Sequence, residues 1–431
     1  MTDLINKLDQ KKTSKEVRLF YFIVYFTIFS GAIRKWVVTS ELAGNIIFLI
    51  QLIIPYLYIL LGSNKLNRVF NNRVFAFYLI YLIICAVNPK NQTIYHGLFG
   101  ILLHSCFWFL LIYYIENREY FSFHSNYSHL LFVGGFLIAF SSVQYFLPPE
   151  NILNKYVNEK AVGNIATVGD NVRVTATFSY ISGYTAYLLF HAFIMGALIK
   201  RNVKGYVLIP LFLGGLISAF MTGSRGCTYS YILISAVMLL VEVRSDKIKS
   251  VFLQMLIPGI IVFLIFLING KVGFEDTATL AFKNFNERRK DLDKQGEEKE
   301  RLFSDVNQLL EFRGKYPIYG MGLGATYQGA NAIYGTSMYV QEYGGYETEV
   351  TRYVLEGGFI LVIFKMVILF SVFSQLYIPT LLKILVGILI MTFDAVVFSV
   401  YNSIFISLGL IFLDSCYYST STTNKLKSYF G

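Results

Sequence analysis

Charge is what this sequence has least of. Of its 431 residues only 15% are Asp, Glu, Lys or Arg, against roughly 25% in soluble domains, which excludes an ordinary water-soluble enzyme. Cysteine is almost as scarce. Cys85, Cys106, Cys227 and Cys416 all lie in or beside apolar runs and no two are spaced as CxxC, so neither a disulfide framework nor a zinc site is indicated. HExxH and P-loop motifs are missing, and the glycines at 320, 322 and 324 follow no strand pattern and open no helix pattern; metal and nucleotide chemistry therefore have no support. No fixed-period repeat is visible. The first apolar run ends on Arg34 and Lys35 rather than on small residues, so a cleavable signal is not expected.

What the chain does have is apolar length. Hydrophobic residues make up 55%, aromatics 17%, and mean hydropathy is +0.53. About 20 consecutive apolar residues span a bilayer, and the sequence predicts twelve such segments. In the first half they are Leu19–Val37, Gly44–Leu61, Val74–Val87, Gly97–Ile115, Leu130–Phe146 and Ile181–Ile199. In the second half they are Tyr206–Met221, Cys227–Val241, Val251–Ile268, Gly357–Leu376, Leu381–Val397 and Tyr401–Cys416. Hydrocarbon offers the backbone no hydrogen-bond partner, so each must be helical, and the expected fold is an all-α polytopic bundle. The organisation is spans one to nine over 1–268, a large loop over 269–356, and spans ten to twelve with a tail over 357–431.

Net charge is +10, but the basic residues are spread over short loops, where they set orientation rather than bind nucleic acid. One alternate set of loops holds seventeen Lys and Arg; the other holds seven, namely Arg34, Lys35, Lys90, Lys155, Lys160, Arg173 and Arg225. This imbalance places both termini in the cytoplasm and the large loop outside. That loop is charge-dense from Asn284 to Arg313, with Phe285, Leu292, Leu302, Val306 and Leu309 spaced for one or two amphipathic helices. A glycine- and tyrosine-rich stretch then leads to Glu347, Glu349, Arg352 and Glu356 just before span ten.

Arg225 stands in the short outer turn TGSRG between two short spans. An arginine held at membrane depth costs several kcal/mol unless it faces a cavity or an anion; the alternative is a side chain snorkelling to the interface. Ser224 adds a hydroxyl to the same turn, and Arg173 lies on the same outer side before span six. Its guanidinium is a fork suited to phosphate oxygens. Glu349 and Arg352, three apart, fit a helix-surface pair, while Glu347 sits close enough to the membrane for partial burial to make it a usable base. Arg313 and Tyr343 are further substrate-binding candidates in the loop. Lys365 and Asp394, both expected at membrane depth, read either as a mutual pair or, for the acid, as part of a proton or ion pathway, and His104 and His191 read as hydrogen-bonded core residues.

The segments GAIRKW (31–36), RVTATFSYISGY (173–184) and TGSRG (222–226), with the ending YETEVTRYVLEGGF (346–359), together resemble the O-antigen polymerase and ligase superfamily. The resemblance implies an inverting, metal-independent glycosyltransferase of GT-C type in a bacterial inner membrane, its active site facing the periplasm and needing no cofactor. Its donor would be an oligosaccharide on undecaprenyl diphosphate, its acceptor another glycan, and a chain-length regulator a further partner in polysaccharide or lipopolysaccharide synthesis. The family's outer-turn arginines bind the diphosphate, which corresponds to Arg225 and Arg173. Ligases of the family carry a histidine nine residues before the glutamate of their Glu-x-Gly ending; here that position is Glu347, which favours a polymerase with Glu347 as base. A ligase, or a lipid-linked oligosaccharide flippase, is the alternative.

Overall fold

The computed structural model describes residues 14–38, 40–62, 66–91, 93–123, 127–157, 166–168, 171–243, 279–284, 319–326, 349–392, 396 and 398–430. Over these residues the chain is a helical bundle. The helices are α1 (Lys15–Ala32), α2 (Glu41–Ile53), α3 (Leu57–Leu61), α4 (Leu66–Asn71), α5 (Arg73–Ala86), α6 (Ile94–Glu116) and α7 (Ser128–Phe146). A two-stranded antiparallel hairpin follows, β1 (Thr167–Val168) against β2 (Asn171–Val172). The remainder are α8 (Ile181–Lys200), α9 (Gly205–Met221), α10 (Arg225–Val243), α11 (Glu349–Gln375), α12 (Thr380–Thr392) and α13 (Val400–Phe430).

Eight of these helical stretches are long and apolar enough to cross a membrane, and α5, α9 and α12 are shorter apolar helices. Together they coincide with every expected span except Val251–Ile268, which lies outside the described residues, as does most of the large loop. Helix starts follow local chemistry: Ser14, Asn72 and Thr93 each accept a backbone N–H of the first turn of α1, α5 and α6, satisfying donors that the helix itself leaves free.

Burial divides the helices into two rings. α8 and α13 have 89% of their apolar windows buried and α6 has 78%, whereas α2 and α7 have 33%. The outer helices carry exposed stripes at helical spacing: Leu42, Ile46, Ile50 and Ile53 on α2, Phe77, Ile80 and Ile84 on α5, Ile363, Val367 and Phe370 on α11. Exposed apolar surface this continuous is an interaction surface, and stripes on a bundle of long apolar helices fit lipid.

Contacts between helix ends sort into two sets. At one end Ser14 donates to the Tyr120 carbonyl, Arg201 to that of Phe123 at 2.5 Å, Arg118 lies 3.5 Å from Asp414, and Lys200 lies 3.3 Å from Glu242. At the other end Lys35 reaches Thr175 at 2.5 Å, Arg173 reaches the Thr222 carbonyl at 2.7 Å, and Asn88 reaches Gly320 at 3.2 Å. Successive long helices therefore alternate in direction from α1 through α10.

α11 departs from the simple span expected from Gly357. It begins at Glu349, and Gly358 breaks it with φ 68° and ψ −172°, a conformation open essentially to glycine alone. Lys365 forms an ion pair with Glu349, although sixteen residues of straight helix would set them about 24 Å apart. The segment before Gly358 therefore folds back along the segment after it. This corrects one expectation, since Glu349 pairs with Lys365 rather than with Arg352; the expected partner of Lys365, Asp394, lies outside the described residues.

Candidate functional site

Three segments far apart in sequence meet at the end where Lys35 contacts Thr175. The first is the continuation of α1, Ile33–Val37, which is wound as a π-helical turn. The second is the segment after β2, Arg173 to Tyr180, which turns at Ala176–Thr177. The third is the Thr222–Ser224 turn that opens α10. Gly31 makes the first crossing feasible, since a Cβ there would lie 2.5 Å from both the Ser179 nitrogen and the Thr177 carbonyl oxygen. Thr177 donates to the Ile28 carbonyl at 2.8 Å, and Arg34 to the Ser179 hydroxyl at 3.2 Å.

Lys35 is 2% exposed. Its ammonium donates to Thr175 Oγ1 at 2.5 Å and to the Ala176 carbonyl at 3.0 Å, beneath the Trp36 ring at 5.4 Å. Ala176 has φ 46°, a left-handed conformation uncommon outside glycine, asparagine and aspartate; Gln144 also binds its carbonyl, at 3.2 Å. Arg173 donates through Nε to the Thr222 carbonyl at 2.7 Å, which seats it against the turn. The Tyr156 hydroxyl donates to the Arg173 carbonyl at 2.7 Å. Burial pushes the Tyr156 pKa up, against the opposing pull of the Arg173 charge, so the hydroxyl stays a donor.

The turn itself is internally bonded. The Ser224 N–H donates to Thr222 Oγ1 at 3.1 Å, Gly223 takes φ 61°, and Ser224 Oγ accepts the Cys227 N–H at 3.4 Å. Arg225 is the first residue of α10. Its guanidinium adds to the partial positive charge of a helix start, an environment that favours an anion.

A second cluster lies at the same end. Glu356, fully buried, accepts four hydrogen bonds: from His104 Nε2 at 2.9 Å, from the Gly324 and Thr326 N–H groups at 2.9 Å each, and from Thr326 Oγ1 at 2.7 Å. The loop from Tyr319 to Thr326 reaches it because Gly320, Gly322 and Gly324 all have positive φ, at 74°, 117° and 78°. A Cβ on Gly320 would stand 2.6 Å from the Glu356 backbone, and one on Gly324 only 2.1 Å from the His96 carbonyl oxygen. Beside this, Glu349 accepts from the Val396 N–H at 2.5 Å and from Lys365, whose ammonium lies 4.4 Å from the Tyr353 ring centroid. Arg352 lies over Phe398 at 5.0 Å. The linker from Val396 to Tyr401 ties the clusters together: Phe398 stands edge-on to Tyr353 at 5.8 Å, and Tyr401 edge-on to Phe178 at 5.7 Å.

Of the residues singled out in the sequence, Arg173, Ser224 and Arg225 gather at the first cluster and Glu349 and Arg352 at the second. Glu347, Arg313 and Tyr343 lie outside the described residues. Sequence reasoning missed Lys35 as a buried cation and Glu356 as the anchor of the glycine loop. A basic residue after a first span counts as a topology marker, and only the π-helical winding turns this one inward. His104 is indeed hydrogen-bonded in the core, and its partner is Glu356.

No family model matches the chain, and no curated protein and no solved structure matches it.

Proposed function

We propose that the chain is a membrane polysaccharide polymerase that transfers oligosaccharide repeat units from undecaprenyl diphosphate onto a growing glycan. The observation that supports this most is the convergence of Gly31–Trp36, Arg173–Ser179 and Thr222–Arg225 at one end of the bundle. These are the segments that carry the resemblance to the O-antigen polymerase and ligase superfamily, and their meeting brings Arg34, Lys35, Arg173 and Arg225 to one locality. In the proposed orientation that end faces the periplasm, both termini are cytoplasmic, and twelve spans cross the inner membrane.

In the proposed reaction an acceptor hydroxyl attacks the anomeric carbon, the bond to the diphosphate oxygen breaks with inversion, and Glu347 takes the hydroxyl proton. Negative charge grows on the departing diphosphate. Cations already fixed beside that oxygen bind the transition state more strongly than the ground state. Arg225 and Arg173 are the proposed partners of the diphosphate, with Ser224 as a neutral donor. Arg352, Glu349, Arg313 and Tyr343 are proposed to bind sugar. Glu349 would act from a buried position, through the fold-back of α11.

The test is polymerisation by purified protein in nanodiscs, with lipid-linked repeat units as both donor and acceptor. Arg225→Ala is expected to abolish turnover. Arg225→Lys, which keeps the charge but loses the planar fork, should leave only a small residual rate. Glu347→Gln should cost about 100- to 10,000-fold, as loss of a general base does. Turnover by Arg225→Ala above about half the normal rate, on the same general-catalysis scale, would remove the diphosphate role from this turn. Deletion of the gene separates the alternatives: single-repeat surface glycans mark a polymerase, full chains left on the carrier a ligase, and units trapped inside the cell a flippase.

A further inference from the structure

The two buried lysines among the described residues are treated differently by the fold. Lys365 is 1% exposed and pairs with the Glu349 carboxylate. Lys35 is 2% exposed, and among the described residues its partners are one hydroxyl, one carbonyl and an aromatic ring. Two buried carboxylates at the opposite end also have cations, Asp414 having Arg118 and Glu242 having Lys200. An ammonium taken out of water costs several kcal/mol unless a counter-charge compensates it. Three local features hold Lys35 in this position in spite of that cost: a π-helical turn, a winding that is rare and concentrated at functional sites; a left-handed alanine presenting its carbonyl; and a threonine hydroxyl from the residue before it. An ammonium has three N–H donors, and two are used here.

We infer that Lys35 is an electrostatic element of the diphosphate site, a buried cation whose counter-charge arrives with the bound lipid diphosphate. The inference rests on the proposed function and extends it to a residue outside the outer turns. Lys35 grips Thr175 and Ala176, so its charge lies against the segment that carries Arg173 at one end and, at Ser179, the partner of Arg34. In a low-dielectric surround a charge acts over this range with little screening. Its effect scales with the charge of the ligand, so a diphosphate gains more from it than a monophosphate. Lys35 is thus a positioning and field-setting residue, distinct from the arginines proposed to touch the phosphates.

The experiment measures binding of farnesyl diphosphate, farnesyl monophosphate and inorganic diphosphate to the full-length protein in detergent, together with unfolding temperature without ligand. The variants are Lys35→Met, Lys35→Arg and Arg225→Ala. Lys35→Met is expected to unfold no earlier than wild type, because replacing an uncompensated buried ion by an apolar side chain is often neutral or stabilising. It should nevertheless weaken both diphosphates by about tenfold or more, the scale of one lost charge interaction in a low-dielectric site, and narrow the preference for diphosphate over monophosphate. Lys35→Arg should recover much of the binding. A merely structural lysine gives the reverse pattern, early unfolding with the diphosphate preference intact, and that result overturns the inference. So does a loss confined to farnesyl diphosphate, which would report lipid packing. If Arg225→Ala loses binding while Lys35→Met does not, the inference fails and the proposed function stands. If wild type binds neither diphosphate, both fail.

Discussion

At the scale of single residues, chemistry here is decided by partners that residue type does not reveal. Glu356 lies within α11, two residues before its break at Gly358, and its sequence context gives it no more than a place beside a glycine. In the fold it closes four hydrogen bonds with no access to water. An amide in its place offers one acceptor oxygen and turns an NH2 group toward at least one donor. Glu356→Gln should therefore lower stability by roughly 3–5 kcal/mol, the cost of breaking a buried charged network. The measurement is the thermal unfolding midpoint in detergent, and a shift no larger than that of a surface control such as Glu150→Gln would show that the network contributes little. Arg173 and Arg225 were legible because arginine near a membrane is expensive whatever surrounds it. Lys35 was not, since its meaning depends on a local winding that no spacing rule anticipates.

At the scale of elements, helix positions followed closely from apolar run length, and caps such as Ser14 and Thr93 explain where they begin. Hidden from that reasoning was the reversal inside α11. EGG before an apolar run is compatible with an ordinary span start, and only the backbone at Gly358 shows that the chain turns there. The Glu349–Lys365 pair depends on that turn. Gly358→Ala should therefore cost about 1–3 kcal/mol in backbone strain and uncouple the pair as well. The check is a double-mutant cycle with Lys365→Met, in which the lysine substitution matters in the glycine background and much less in the alanine one. Equal effects in both backgrounds would mean that Glu349 and Lys365 meet by some route other than the fold-back.

At the scale of the whole molecule, the alternation of helix ends was readable from charge. The residues binding across one end, among them Arg68, Arg118, Lys200 and Arg201, come from the loops with the larger share of Lys and Arg. The opposite end gathers Lys35, Arg173 and the glycine loop. Reporter fusions after Lys204 and Lys247 are expected to read cytoplasmic, and one within Glu297–Arg301 external. A cytoplasmic signal from the large loop would invert the proposed orientation and overturn the periplasmic placement proposed for the glycine loop and both clusters. The packing of these distant loops into two clusters was beyond the sequence, because segments separated by many spans meet through individual side-chain hydrogen bonds rather than through any shared pattern.

The π-helical turn at Ile33–Val37 has a consequence for comparing this chain with others. Such a turn holds one residue more than the α-helical turn it replaces, and removing one residue ahead of Lys35 would rotate everything after it by about 100° around the helix axis. Span length, hydropathy and the tally of loop charges would hardly change, yet the ammonium would leave Thr175 and face a different side of the bundle. Two chains that align span for span can therefore differ at this site through a single gap. A sequence comparison that slides freely through apolar residues would place that gap anywhere along α1 and miss its effect.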